Sequence, residues 1–116
     1  MVGVDIVAIS RIERLLEKSG EKFTQRLLND DEHLLAKSAQ SIAGFWAAKE
    51  AISKALGCGI GSELGFLDIK IGKKKSGQPF FELPQAIMQK YKIKQTSLSI
   101  SHDGGFAIAV VAIEID

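Results

Sequence analysis

The chain has one cysteine, one tryptophan, one tyrosine, almost no net charge and no long apolar run. A lone cysteine, Cys58, excludes an internal disulfide and fits a reducing compartment. A formal net charge of +1 excludes the strong overall field that draws a protein onto nucleic acid or an anionic membrane, leaving only local basic clusters. The longest apolar stretch, FAIAVVAI from Phe106 to Ile113, falls far short of the roughly 20 residues that cross a bilayer. No basic leader precedes the first apolar segment and Asp5 interrupts it, so no secretory signal is read. Repeats, linkers and low-complexity tracts are missing too. What is present is 116 residues, 46% of them hydrophobic, enough for a real core. The expectation is one soluble, cytoplasmic domain over residues 1–116, with no nucleic-acid or membrane partner.

Periodicity divides the chain into elements. VGVDIVAI, residues 2–9, reads as a buried strand. The next helix is expected to start at Ser10, which forms a capping box with Glu13, and to stop at Gly20. Its apolar stripe is Ile12, Leu15 and Leu16, which leaves Arg11, Arg14 and Lys18 outside. Two short helices follow, one around Phe23–Leu28 and one within NDDEHLLAKSAQS. The strongest helix spans Ser41–Leu56, where Ile42, Phe45, Trp46, Ile52 and Leu56 recur at helical spacing and alanines fill the gaps. FLDIKIG and FFEL read as strands flanking the turn KKKSGQP, and Pro84 opens a last helix through Tyr91. SLSIS and FAIAVVAIEI flank HDGG as a second hairpin. That last strand is apolar on both alternate faces, so either a long helix lies across it or another subunit does.

Three clusters bear on chemistry. Glu50 and Lys54 are four residues apart, in the favourable order on one helix face. A surface ion pair explains that spacing. A ligand site explains it together with the sequel KALGCGIG, because glycine lets backbone approach a bulky ligand while lysines hold phosphate. The loop follows the helix, so its dipole has the wrong sign for an anion and this is no P-loop; Gly57 is also accounted for as a helix C-cap. Lys49 is placed on a neighbouring part of the surface. Asp5 is the second oddity, a carboxylate between Val4 and Ile6 on the strand face shared with Gly3 and Val7. It either pairs with Arg11, caps the next helix, or ligates a hard cation. Magnesium takes one or two protein carboxylates and completes its shell with water and phosphate oxygens, so Asp5 and Glu50 would suffice. The third cluster is Ser99, Ser101 and His102 beside glycines, able to donate to phosphate; a Ser–His catalytic pair finds no G-x-S-x-G elbow. Cys58 has no placed base, and His33 and Lys73–Lys75 read as solvated surface.

Taken together, GVDIV…SRI, FWAAKEAISKALGCGIG and SISH resemble the holo-acyl-carrier-protein synthases, the small single-domain members of the 4′-phosphopantetheinyl transferase superfamily. The segments occur in the right order across nearly the whole chain, and the W-A-A-K-E-A-x-x-K-A block with its downstream G-x-G is the specific part. The resemblance implies an α+β fold, an antiparallel sheet with a long central helix, assembled as a homotrimer with sites between subunits. It implies transfer of the phosphopantetheine arm of coenzyme A to a serine of apo acyl carrier protein, with release of adenosine 3′,5′-bisphosphate, for fatty acid biosynthesis. By the same resemblance Asp5 and Glu50 are the Mg²⁺ ligands, and Glu50 and Lys54 are the catalytic pair. Lys54, Gly57, Gly59, Ser101 and His102 contact coenzyme A. Arg11, with Arg14 and Lys18 beside it, docks the acidic carrier. Phe45 departs from the pattern, since many members carry a basic residue there; a phosphate contact is then either missing or supplied by another residue, such as a lysine from a loop. The alternative from another class is a non-catalytic β-rich assembly module whose last strand makes the oligomer.

Overall fold

The structure, a computed structural model, describes all residues 1–116. Strand β1 (Val2–Ala8) runs into helix α1 (Ile9–Ser19), followed by α2 (Glu21–Leu27), α3 (Asp30–Leu35) and the long α4 (Ala39–Leu56). A 3₁₀ turn (Phe66–Asp68) leads to the hairpin β2 (Lys70–Lys73) and β3 (Pro79–Glu82), then α5 (Gln85–Lys90), β4 (Ile93–Asp103) and β5 (Phe106–Ile115). The main sheet has the order β1-β5-β4 and is antiparallel throughout, with β2 and β3 paired separately. Gly104 and Gly105, at φ of 57° and 85°, form the two-residue turn between β4 and β5, in the left-handed conformation such hairpins require.

Helix α4 lies across β1 and β5. Its alanines at 47, 48, 51 and 55 are buried, and they let its backbone come close to the sheet. The approach is tightest at Gly3, where an added Cβ would sit 2.0 Å from the Ala51 carbonyl oxygen and 2.8 Å from the Ala55 nitrogen. The same packing resolves the two-sided apolar strand. Ala107, Ala109, Val111 and Ile113 are sealed under α4, whereas Phe106, Ile108 and Val110, with Val2, Val4 and Ile6 of β1, are exposed on the opposite face.

Three expectations need correction. Ser10 does not cap α1: the helix begins at Ile9 behind Ala8, with no side-chain cap, and the Ile9 N–H donates to the Gly105 carbonyl at 2.9 Å. The capping box occurs instead at Asn29 and Glu32. FLDIKIG is not one strand, because Asp68 accepts the Gly65 N–H at 2.8 Å and curls the first half into the 3₁₀ turn. Lys49 is not on the surface. It is fully buried, its ammonium 2.8 Å from the equally buried Glu32, and removing one partner of such a pair typically costs about 3–5 kcal/mol.

Gly3→Ala tests the helix–sheet contact. The clash is with backbone, which has nowhere to yield, so a loss above about 4 kcal/mol is expected. Gly61→Ala, where a Cβ meets nothing within 4 Å, serves as the control and should leave the thermal midpoint nearly unchanged. Equal melting temperatures for the two variants would refute the contact.

Candidate active site

Asp5 sits on the sheet face turned toward α4, opposite Ala109 in the strand register. One turn apart on α4, Glu50 and Lys54 come to the same place. Lys54 donates to Asp5 at 2.7 Å, so the lysine pairs with the strand carboxylate rather than with Glu50, and Asp5 pairs with Lys54 rather than with Arg11. Burial, reinforced by the Asp5 charge, pushes the Glu50 carboxyl above the usual carboxylate range, while Lys54 and Arg11 partly oppose the shift. The hydrogen bond to Asp5 raises Lys54 above the ordinary lysine value. The chain therefore concentrates two carboxylates and a lysine at one edge of the sheet, with Arg11 close enough to act on Glu50. No protein donor reaches the Glu50 carboxylate. Two carboxylates at one place, that of Glu50 without a protein donor, fit the coordination habits of Mg²⁺.

The glycine-rich loop begins at the end of α4. Gly57 closes the helix at φ 80° and Gly59 takes φ 67°, both left-handed, while the space above each is open. Buried Leu64 anchors the loop from below, and Glu63 fastens it to α5, accepting from the Lys90 ammonium and from the Tyr91 hydroxyl at 2.9 Å.

Ser101 and His102 lie elsewhere. The His102 ring donates from Nε2 to the Gln40 carbonyl at 3.0 Å and packs against Gly44, at the opposite end of α4 from the glycine loop. Thirteen residues of helix separate Gly44 from Gly57, roughly 20 Å along the axis. One chain thus joins Asp5, Glu50, Lys54, Gly57 and Gly59 but keeps Ser101 and His102 apart. A cleft of about 120 Å³ beside His102 is lined by Ser41, Gly44, Phe45, Lys73 and Pro79. Phe45 itself is buried, and Lys73, read from the sequence as solvated hairpin tip, is the lysine at this cleft.

Beside the acid cluster runs a groove of about 510 Å³. Trp46 forms its floor, stacked between Phe23 at 5.8 Å and Phe66 at 5.1 Å, with the Arg11 guanidinium 5.2 Å over its ring. Arg11, Arg14 and Lys18, read from the sequence as facing outward, line the groove, and Arg26 joins them from α2. Arg26 was missed because nothing in the sequence tells which face of a seven-residue helix turns toward α1.

Comparison with known proteins identifies the family. A sequence profile described as the 4′-phosphopantetheinyl transferase superfamily matches residues 1–111. A holo-[acyl-carrier-protein] synthase of Nautilia profundicola is 60% identical over 113 residues, covering 97% of this chain and 98% of the relative. The crystal structure of Helicobacter pylori holo-[acyl-carrier-protein] synthase in complex with coenzyme A superposes with a TM-score of 0.95 at 50% identity, covering 98% of this chain and all of that one. The corresponding enzyme of Neisseria meningitidis gives 0.89 at 36% identity over 97% of this chain and 96% of its own.

The loop fastening is measurable because Tyr91 is the only tyrosine. Its hydrogen bond to Glu63 favours the protonated hydroxyl and pushes its pKa up to about 12. Phenolate absorbance of the native protein should therefore rise near that pH, about two units above unfolded tyrosine. Glu63→Gln should bring the midpoint down; a native midpoint equal to that in denaturant would refute the contact.

Proposed function

Since the chain belongs to the 4′-phosphopantetheinyl transferase superfamily, and within it to the holo-[acyl-carrier-protein] synthases, we propose that the Asp5–Glu50–Lys54 cluster is the reacting end of its site. The enzyme moves 4′-phosphopantetheine from coenzyme A to a serine of apo acyl carrier protein. The serine oxygen forms a bond to the phosphorus that bears the pantetheine arm, the bridging P–O bond of the diphosphate breaks, and adenosine 3′,5′-bisphosphate leaves. Asp5 and Glu50 are the residues that would hold Mg²⁺, which when bound offsets the charge that grows on the diphosphate oxygens. Lys54 places a fixed positive charge toward the same oxygens. Glu50 is the chain's carboxylate placed here to take the serine proton, directly or through a water. Gly57 and Gly59 leave open backbone where the nucleotide approaches. Ser101, His102 and Lys73 offer donors to its phosphates, with Lys73 in the role that a basic residue at position 45 has in other members.

The single observation that carries this reading is Asp5 beside Lys54 at 2.7 Å, with its charge acting on half-buried Glu50. Incubation with coenzyme A, Mg²⁺ and apo carrier protein should add the mass of one phosphopantetheine arm to the carrier. Glu50→Gln should keep the fold and lower kcat at least about a hundredfold. Undiminished transfer with an unchanged magnesium requirement would rule the assignment out.

Two observations support a homotrimer. The open apolar face of β1 and β5 needs a cover, and the His102 end of the coenzyme A site lies roughly 20 Å from the glycine loop within one chain. A site shared between neighbouring copies answers both. Val4→Glu combined with Ile108→Glu should give a folded monomer with no transfer activity by sedimentation equilibrium and assay; a monomer with full activity would refute the shared site.

The groove, with basic side chains around Trp46, fits an acidic surface that also presents an apolar side chain, and the carrier is acidic. Arg14→Glu should raise the carrier KM about tenfold with the coenzyme A KM nearly unchanged, and added salt should weaken the wild type in the same way. A carrier KM within about twofold of wild type would place docking elsewhere.

A further inference from the structure

The buried pair of Lys49 and Glu32 takes no part in the chemistry above, yet it is the most completely satisfied polar group in the core. The Lys49 ammonium donates to the Leu27 carbonyl at 2.6 Å, to Glu32 at 2.8 Å and to the Phe66 carbonyl at 2.9 Å, so all three of its protons are used. Glu32 in turn accepts the Asn29 N–H at 2.7 Å and the Ile71 N–H at 2.8 Å. One pair thereby gathers the end of α2, the start of α3, the 3₁₀ turn and strand β2 onto the middle of α4. No backbone hydrogen bond links α2 or the 3₁₀ turn to α4.

Two of these anchor points have a shared destination. Leu27 and Phe66 are walls of the basic groove, and Trp46, one turn before Lys49 on α4, is its floor. The next residue after Lys49 is Glu50. We propose that Lys49 and Glu32 are positioning residues that hold the two walls of the groove, at Leu27 and Phe66, against the helix that carries Glu50. The identity of the groove's occupant rests on the docking reading given above; the holding of its walls does not. A hydrocarbon side chain at position 49 could fill the volume, but it could not bind two carbonyls from separate segments, so the walls would lose their setting even where the core stays packed.

Trp46 reports on the walls directly, being the only tryptophan and stacked between Phe23 and Phe66. Lys49→Met and the milder Glu32→Gln are compared at low temperature, each shown to be folded by circular dichroism, with Arg14→Glu as a docking control. The acrylamide quenching constant of Trp46 is expected to rise about twofold or more in both pair variants without any carrier present, with the carrier KM up about fivefold and the coenzyme A KM within about twofold. A purely structural pair would lower only the active fraction and leave both KM values where they are. Unchanged quenching in a folded variant overturns the proposal, and so does failure of both variants to fold, since the pair would then be a folding requirement alone. If Arg14→Glu raises the carrier KM and the folded pair variants do not, this proposal fails while the docking reading stands. If no variant moves the carrier KM but quenching still rises, the docking reading fails and the pair remains the holder of the walls.

Discussion

The contact on which the arrangement depends is backbone against backbone, where α4 rests on β1 at Gly3. A side chain there has no room, because the Ala51 carbonyl occupies its place. Small residues continue the seam on both sides: Ala47, Ala48, Ala51 and Ala55 on the helix, Ala107 and Ala109 on the sheet. The closeness serves more than packing density. Asp5 lies two residues along the strand from Gly3, on the same face, and only a helix this near the sheet lets the Lys54 side chain reach it. Interleaved leucines would give an ordinary helix–sheet spacing, and the acid cluster would come apart.

Helix α4 also sorts charge by angle. Lys49, Glu50 and Lys54 occur within six positions, yet Lys49 points into the interior and is fully buried while Lys54 is about half exposed. The inward lysine is stiff, its three protons all committed. The outward one has a single strong partner and keeps the freedom to approach a ligand. The two pKa values move in opposite directions: burial dominates at Lys49 and lowers it, whereas at Lys54 the hydrogen bond to Asp5 outweighs burial and raises it.

Much of this was legible in the residues and some was not. Strand alternation put Asp5 on the face of Gly3 and Val7, and the structure puts it there too, because a period of two is rigid once one face is covered. The long helix was visible from apolar spacing and alanine content. The role of Lys49 was hidden: its partner Glu32 lies seventeen positions away in a separate short helix, and local pattern carries no information about such a pairing. Ser10 misled for a related reason. The capping box was present in letters, but continuity from strand into helix, fixed by the distant Gly105 carbonyl, set the start earlier. The separation of His102 from the glycine loop was equally invisible, since order along the chain says nothing about which end of α4 each segment meets.

The strand order carries a consequence for how the chain reaches its fold. The sheet is β1-β5-β4, so the strand nearest the beginning of the sequence pairs only with the strand nearest its end. The β4–β5 hairpin is local and can close quickly around Gly104 and Gly105. Strand β1 cannot do likewise. It stays unpaired, with α4 lacking much of the surface it will cover, until β5 is available to it. The sheet therefore closes through its most distant pair, and until then the apolar strand β1 relies on the blunting charge of Asp5 to avoid pairing with another chain.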